Sequence, residues 1–185
     1  MPDVIVAAEV SGPLLLCGEG LSVWGGVDPA TGEIIDAHHP QRGQSLAGKI
    51  IMMPTSRGSC TGSGVLLGLA FAGNAPKALI FRENEDILTL GALVATKLFD
   101  HPIDVLQLAA KEYGQLAKEV EVEITGSHIV TATKQWPLSV KSDALALTDE
   151  DRLFLSGAHG EAAADDPVTE QRFAGRGDRF EILPG

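Results

Sequence analysis

Residues 49–71, with the sequence KIIMMPTSRGSCTGSGVLLGLAF, contain the pattern that decides the predicted fold. Residues 49–53 are an apolar run that stops at Pro54, a loop rich in Gly, Ser and Thr spans residues 55–63, and residues 64–71 are apolar again. Short apolar runs bounded by turn residues are typical of buried strands, whereas longer ones are typical of helices. The stretch therefore predicts a strand, a glycine loop and a buried helix.

The alternation of strand and helix continues towards the C-terminus. Residues 77–81 predict a second strand, residues 83–99 a helix with an acidic first turn, and residues 103–108 a third strand. Carboxylates near a helix start interact favourably with the helix dipole, which supports this helix. Alternating strands and helices predict a layered α/β domain.

Turn signals and alternating polarity predict further β-structure on both sides. Residues 4–10 and 14–17 are predicted strands separated by a turn at residues 11–13, and residues 120–133 are a predicted hairpin. Residues 18–44 contain so many turn-forming residues that they predict a shaped surface loop.

Length, composition and charge limit the classes of function. The chain has 185 residues, 44% of them hydrophobic, which fits one domain with an extension. Its formal net charge of −11 repels phosphate backbones and anionic lipid, so nucleic acids and membranes are not expected partners. Residues 1–3 lack the basic start of a secretory signal, and a cytoplasmic location is expected.

Cys17 and Cys60 are the only cysteines of the chain. They are far apart in sequence and form no C-x-x-C motif, whereas an iron-sulfur cluster usually takes three or four thiolates. The sequence predicts two free thiols and no metal site in this chain, with a disulfide as the alternative.

The loop Arg57-Gly58-Ser59-Cys60-Thr61-Gly62-Ser63-Gly64 is the main candidate for chemistry. Glycines allow the backbone to approach a ligand, and the N–H groups at a helix start favour an anion. The helix dipole and Arg57 favour the deprotonated form of the Ser59 hydroxyl, which makes it a candidate base. The alternative is a structural loop whose hydroxyls cap the helix, since the spacing fits neither a phosphate-binding loop nor a nucleophile elbow.

A second candidate site lies in residues 24–39. Trp24, Gly25 and Gly26 stand close to Asp28, and a histidine pair that includes His39 follows. Glycines beside an aromatic ring and an acid can line a pocket, and histidines can transfer protons or bind metal. Asp-Pro is also an ordinary turn pair, so a structural role is the alternative for Asp28, and the histidines have no obvious third ligand.

Both candidate sites belong to a set of motifs that resembles the swivel domain of the aconitase X family. The set includes Leu21-Ser22-Val23-Trp24-Gly25-Gly26-Val27-Asp28-Pro29, Thr31-Gly32-Glu33-Ile34-Ile35-Asp36, His39-Pro40, residues 57–67 and Glu85-Asp86-Ile87-Leu88-Thr89-Leu90-Gly91. The resemblance covers residues 2–135. Trp24 and the Ser59-Cys60 pair are most similar to the bacterial cis-3-hydroxy-L-proline dehydratases of the family.

The resemblance implies a swivelling β/β/α domain of the α/β class that closes over a larger partner subunit or domain. That partner is expected to carry an iron-sulfur cluster, and the pair is expected to dehydrate a hydroxy acid, cis-3-hydroxy-L-proline or alternatively phosphomevalonate. The Gly58-Ser59 pair matches the pair that supplies the base in the wider aconitase superfamily, which implies Ser59 as the catalytic residue. The expected substrate-binding residues are Arg57, Gly58, Cys60, Thr61, Gly62, Ser63, Gly25, Gly26, Asp28 and His39.

The C-terminal quarter of the chain has a different character. Residues 136–146 are an expected linker, residues 147–162 resemble the beginning of the family's large domain, and an unordered tail is expected from residue 164. The isolated chain is therefore expected to be an inactive part of a hydro-lyase. The alternative from another class is a non-catalytic anion-binding or regulatory module built on the same glycine loop.

Overall fold

The computed structural model describes residues 3–6 and 9–140, with side chains over residues 9–138. The segment 147–162 and the tail expected from residue 164 lie outside the described residues. The strands are β1 (Asp3–Val6), β2 (Val10–Leu16), β3 (Ile50–Met53), β4 (Ala78–Phe81), β5 (Asp104–Gln107), β6 (Glu121–Ile124), β7 (His128–Val130), β8 (Gln135–Pro137) and β9 (Ser139–Val140). The helices are α2 (Thr61–Phe71), α3 (Ile87–Phe99) and α4 (Ala110–Leu116), and the segment α1 (Val23–Gly26) is a turn whose central residues are not helical.

One mixed sheet joins these strands in the order β8-β7-β6-β2-β3-β4-β5-β1-β9. The four central strands β2 to β5 are parallel, and β6 to β8 continue the sheet in antiparallel fashion. Every residue of β3 and β4 is buried, as expected for parallel strands covered on both faces. This confirms the predicted α/β class.

Two apolar clusters cover the two faces of the central strands. Alternate residues such as Ile51 and Leu79 face α2 and α3, and their neighbours Ile50 and Ala78 face the other way. The second cluster also contains Val122, Ile129 and Trp136, so the antiparallel strands curl back over the far face. The second apolar cluster thus lies inside the curled sheet, whereas α2 and α3 cover the first face.

The structure differs from the sequence-based expectation in β2, which runs straight through the predicted turn at residues 11–13. Residues 10–13 pair with β6, and pairing with β3 begins at Leu14. Pro13 is exposed and lies where the strand changes partner, so a residue without an N–H is tolerated there.

Two further boundaries differ. The helix after the glycine loop begins at Thr61 rather than at residue 64, because the Ser63 hydroxyl and N–H both bond to the carbonyl of Cys60. The expected linker 136–146 begins within the sheet, since β8 and β9 fall in residues 135–140 and Trp136 is only 9% exposed. Helix α4 was not predicted. Among the described residues, no helix has the length and apolarity needed to cross a membrane.

Candidate active site

The candidate site lies at the edge of the sheet where the parallel strands β2, β3 and β4 end. Leu16 pairs with Met52, and Met53 pairs with Phe81, so the loops that follow the three strands leave the sheet side by side. The middle of these loops is the Ser59 loop, residues 55–60, which leads from β3 into α2. Ligands of α/β sheets commonly bind at this edge, outside the carboxyl ends of the strands.

Contacts with the loop after β2 fix one side of the Ser59 loop. The N–H of Arg57 donates to the Leu21 carbonyl at 3.0 Å, and Arg57 forms a parallel bridge with Ser22. Gly58 has φ of 105°, and a Cβ at this position would lie 2.7 Å from the Ser22 Oγ. Only glycine fits this conformation and this close approach without strain.

The loop after β4 holds the other side. The backbone N–H groups of Arg82 and Glu83 donate to the Pro54 carbonyl at 3.1 and 2.9 Å. The Ser56 hydroxyl donates to the buried carboxylate of Glu85 at 2.6 Å. Both neighbouring loops therefore contact the segment that carries Ser59.

Ser59 itself is exposed and lies at the start of α2. Its Oγ accepts a hydrogen bond from the Thr61 N–H at 3.3 Å, and its carbonyl accepts one from the Gly62 N–H at 3.0 Å. A donor to the oxygen, together with the dipole of an 11-residue helix, favours the deprotonated hydroxyl. The same contact also fits a capping role, so the geometry is compatible with both interpretations of the sequence.

Arg57 places a cation next to this loop. Its guanidinium lies 3.6 Å from the carboxylates of both Glu19 and Asp36, and its side chain is about half exposed. The pKa of Asp36 lies below its usual value, mainly because the His38 N–H donates to the carboxylate and also because Arg57 is close. Long, half-exposed ion pairs contribute little stability. These contacts therefore orient Arg57 and leave its guanidinium able to bind another anion.

The glycine pair of the second candidate site lies beside Arg57 and Gly58. Trp24 and Gly25 have the backbone angles of a type II turn, with φ of −69° and 75°, and the Trp24 side chain is 59% exposed. The Gly26 carbonyl accepts the N–H groups of Ile35 and Asp36. Asp36 also contacts the Arg57 guanidinium, so Gly25 and Gly26 lie close to the Ser59 loop.

The Asp28 carboxylate and the Nδ1 of His39 are bonded within their own loops, whereas the buried Nε2 of His39 has no partner among the described residues. The Asp28 carboxylate accepts from the Ala30 N–H and the Thr31 hydroxyl at 2.9 and 3.1 Å. The His39 ring is only 3% exposed, and its Nδ1 accepts the Gln41 N–H at 3.2 Å. Their predicted contact with substrate stays a prediction.

Several residues around the site did not figure among the predicted site residues. They are Glu19, Ser22, Asp36, Ser56 and Glu85. Asp36 stood in the second candidate segment, and Glu85 in the acidic start of α3, but nothing local in the sequence connects either with the Ser59 loop. Each of their contacts joins two loops that follow different strands of the sheet.

The described residues do not form an iron-sulfur site. Cys17 is buried in the first apolar cluster, whereas Cys60 is exposed at the start of α2, and both are free thiols as predicted. Within residues 9–138, no three His, Cys, Asp or Glu side chains are arranged to hold a metal ion. The thiols of this part of the chain therefore do not fit a cluster.

A curled α/β sheet with a glycine-serine loop at the ends of its parallel strands defines a swivel-type domain. The family model described as the aconitase X swivel domain matches residues 2–132, which is most of the chain. This protein belongs to the aconitase X swivel-domain family.

Individual relatives agree with this assignment. The cis-3-hydroxy-L-proline dehydratase of Hypocrea jecorina is 42% identical over 170 residues, covering 85% of this chain and 28% of that protein. The phosphomevalonate dehydratase small subunit of Thermococcus gammatolerans is 41% identical over 121 residues, covering 65% of this chain and 92% of that subunit. The crystal structure of holo aconitase X from Thermococcus kodakaraensis is 33% identical with a TM-score of 0.55, covering 74% of this chain and 95% of that one. The chain spans less than a third of the longer dehydratase, but matches almost all of the small subunit.

Proposed function

We propose that this chain is the swivel part of a hydro-lyase that dehydrates a hydroxy acid, and that Ser59 is its catalytic base. The observation that supports this most directly is the position of Ser59. Its hydroxyl is exposed at the start of α2, at the edge where three parallel strands end, next to the cation of Arg57. This is where the fold can bind a small anionic substrate.

The chemistry requires a base and an anion-binding group. In a 3-hydroxy acid, the base removes the proton from the carbon between the carboxylate and the hydroxyl-bearing carbon. The C–H electrons form the double bond as the hydroxyl departs, so water is lost in total. Ser59 takes the proton and Arg57 binds the carboxylate, whose charge favours a guanidinium partner. Both cis-3-hydroxy-L-proline and phosphomevalonate are acids of this class.

A second subunit or domain completes the proposed site. The relatives that this chain matches over almost their whole length are small subunits, a name that implies a large subunit. An iron-sulfur cluster in that partner supplies a Lewis-acidic iron for the departing hydroxyl. This chain contributes the base, the carboxylate-binding arginine and the glycines that let substrate approach the backbone.

The extent of the matches favours cis-3-hydroxy-L-proline over phosphomevalonate as the substrate. The longer dehydratases match 85% and 88% of this chain, whereas the small-subunit matches cover 65% or less. The similarity to the former thus continues beyond residue 132, where the swivel-domain match ends. This also supports the proposal that residues 147–162 correspond to the beginning of a large domain.

The alternative is a non-catalytic module in which the same loop binds an anion. This alternative is supported by the hydrogen bond from the Thr61 N–H to the Ser59 Oγ, because a serine that only caps the helix accepts the same bond. The two functions differ in what they require of Ser59. Catalysis needs the hydroxyl, whereas anion binding by Arg57 and backbone N–H groups does not.

Replacing Ser59 tests the proposal. Ser59→Ala, mixed with a cluster-bearing large subunit of the family, is expected to lower kcat by about 100-fold or more, the typical contribution of a positioned base. The free energy of unfolding is expected to change by about 1 kcal/mol or less, because the variant loses a single long, exposed hydrogen bond. Turnover and urea unfolding measure the two effects.

Ser127→Ala is the matched control, because Ser127 is an exposed serine in the turn between β6 and β7. It is expected to leave kcat unchanged. Near-wild-type turnover of Ser59→Ala, with the large subunit bound normally, would remove Ser59 from the mechanism and favour the anion-binding module.

A further inference from the structure

Glu85 is a buried carboxylate that connects α3 with the Ser59 loop. It is 7% exposed, and its Oε1 accepts hydrogen bonds from the Ser56 hydroxyl at 2.6 Å and from the N–H groups of Ile87 and Leu88 at 3.1 and 2.9 Å. Its Oε2 accepts from the Thr89 N–H at 3.0 Å and lies 3.2 Å from the Thr89 hydroxyl, whose nearer acceptor is the Glu85 carbonyl at 2.5 Å. Three donors to the carboxylate are N–H groups of α3, and the Ser56 hydroxyl belongs to the Ser59 loop.

Helix capping accounts for the contacts with α3 but not for the contact with Ser56. The first N–H groups of a helix lack partners within the helix, and Glu85 satisfies three of them. The Ser56 bond adds nothing to the cap of α3. It is an O–H bond to a charged oxygen, shorter than the others, and bonds of this kind are the strong ones.

The Ser56 contact lies immediately before the residues proposed for catalysis. The Ser56 hydroxyl attaches the loop to Glu85 on one side, and the Arg57 N–H attaches it to the Leu21 carbonyl on the other. The Ser59 carbonyl is also bonded to the Gly62 N–H of α2. Without the Ser56 bond, the segment that leads to Ser59 keeps its attachments at Arg57 and at α2 but loses the one that ties its side chains to the loop after β4.

We propose that Glu85 is a positioning residue for Ser59, which it holds in place through the hydroxyl of Ser56. This inference rests on the proposed function of Ser59. The contact fixes the serine for its reaction with substrate, whereas Arg57 keeps its place through its backbone bond to Leu21 and its two carboxylate partners. Loss of the contact should therefore affect the chemical step more than substrate binding.

Amide hydrogen exchange of the full chain, followed by NMR, tests the attachment without a partner or an assay of turnover. Ser56→Ala is expected to speed exchange of the Gly62 N–H group, which donates to the Ser59 carbonyl, by about tenfold or more, the effect on a local opening equilibrium of losing one hydrogen bond to a charged group. The Arg57 N–H group should exchange as in the wild type, because Leu21 still holds it. Ser56→Thr keeps the hydroxyl and is expected to restore slow exchange.

Thr89→Val is the matched control, because it also removes a hydroxyl that contacts Glu85, through the carbonyl and the carboxylate, but on α3 rather than on the loop. It is expected to speed exchange in the first turn of α3 and to leave the Arg57 and Gly62 N–H groups unchanged. Unchanged exchange in Ser56→Ala, or the same increase in both variants, would overturn the proposal.

Kinetics with a large subunit form the second arm of the experiment. Ser56→Ala is expected to lower kcat by about tenfold with KM nearly unchanged, because small displacements of a reacting group are costly to the chemical step. Ser56→Thr should restore kcat, and Thr89→Val should match the wild type. A rise in KM without a fall in kcat would also contradict the proposal. If Ser59→Ala proved fully active while Ser56→Ala still loosened the loop, the proposed function would fail and the attachment itself would stand.

Discussion

The Asp28 turn, residues 28–32, and the Ser59 loop both contain glycine and hydroxyl side chains, but they use their polar atoms differently. In the Asp28 turn, the carboxylate of Asp28 accepts two hydrogen bonds and its carbonyl accepts two more, all from residues within the turn. In the Ser59 loop, Ser59 and Cys60 are exposed, and within residues 9–138 the ion pairs of the Arg57 guanidinium are long ones of 3.6 Å.

The difference shows which polar segment is available for chemistry. A turn whose donors and acceptors are paired internally has little left to offer a ligand, so its residues mainly contribute stability. A loop fixed by its backbone and by Ser56, with other side chains directed to the surface, can bind a ligand without losing its own structure. Substitutions in the two segments should therefore affect different properties.

The largest effect on stability is expected for Gly32→Ala in the Asp28 turn. Gly32 has φ of 71°, and a Cβ there would lie 2.8 Å from the backbone oxygen of Asn74. Backbone strain and a clash with main chain together should lower the free energy of unfolding by about 3 kcal/mol. Urea unfolding monitored by circular dichroism measures this loss.

Gly43→Ala separates the two causes. Gly43 has φ of 84°, but a Cβ at this position would meet nothing within 4 Å. The expected loss is about 1 kcal/mol, from backbone strain alone. Equal losses of unfolding free energy for Gly32→Ala and Gly43→Ala would show that the clash with the Asn74 backbone adds nothing to the cost of Gly32→Ala.

The buried Cys17 and the exposed Cys60 differ in how they should affect the pH dependence of stability. Burial raises the pKa of the Cys17 thiol from 9.0 to about 11, whereas Cys60 is exposed at the end of the Ser59 loop. Because the unfolded chain ionises Cys17 more readily, its stabilising effect is complete below pH 9 and is lost as the pH rises from 9 to 11. The expected loss is on the order of 2 kcal/mol.

Unfolding by urea at several alkaline pH values measures this loss. Cys17→Ala should flatten the pH dependence between pH 9 and 10. A decrease should remain between pH 10 and 12, because burial also raises the pKa of Tyr113 from 10.0 to about 12. An unchanged pH profile in Cys17→Ala would contradict the assignment of the first decrease to this thiol.

The smallest of these effects is expected for Asp28→Ala. The variant loses the hydrogen bonds from the Ala30 N–H and the Thr31 hydroxyl, which should lower the free energy of unfolding by about 1 kcal/mol. Asp28→Asn keeps an oxygen acceptor for the Ala30 N–H and should retain most of the stability. If Asp28→Asn were as stable as the wild type but had a much higher KM, Asp28 would bind substrate, as the sequence predicts, in addition to forming the turn.

Near neighbours in the sequence were sufficient to predict the local elements of this protein. The apolar runs that became β3 and β4, and the helical spacing within residues 87–99, depend only on near neighbours and were predicted to within a few residues. The position of Ser59 between a strand and a helix was predicted in the same way, whereas its catalytic role stays a proposal. The α/β class followed from this alternation, and the swivel family from the motifs.

Which segments meet depends on the tertiary structure. The sheet order places the loops after β2, β3 and β4 at one edge, and only there do Glu19 and Asp36 reach Arg57, and Glu85 reach Ser56 across 29 positions of sequence. The same order makes β2 one continuous strand, because β6 and β3 pair with successive parts of it. Periodicity cannot encode such contacts, since it records which face of an element is buried and not which other element covers it.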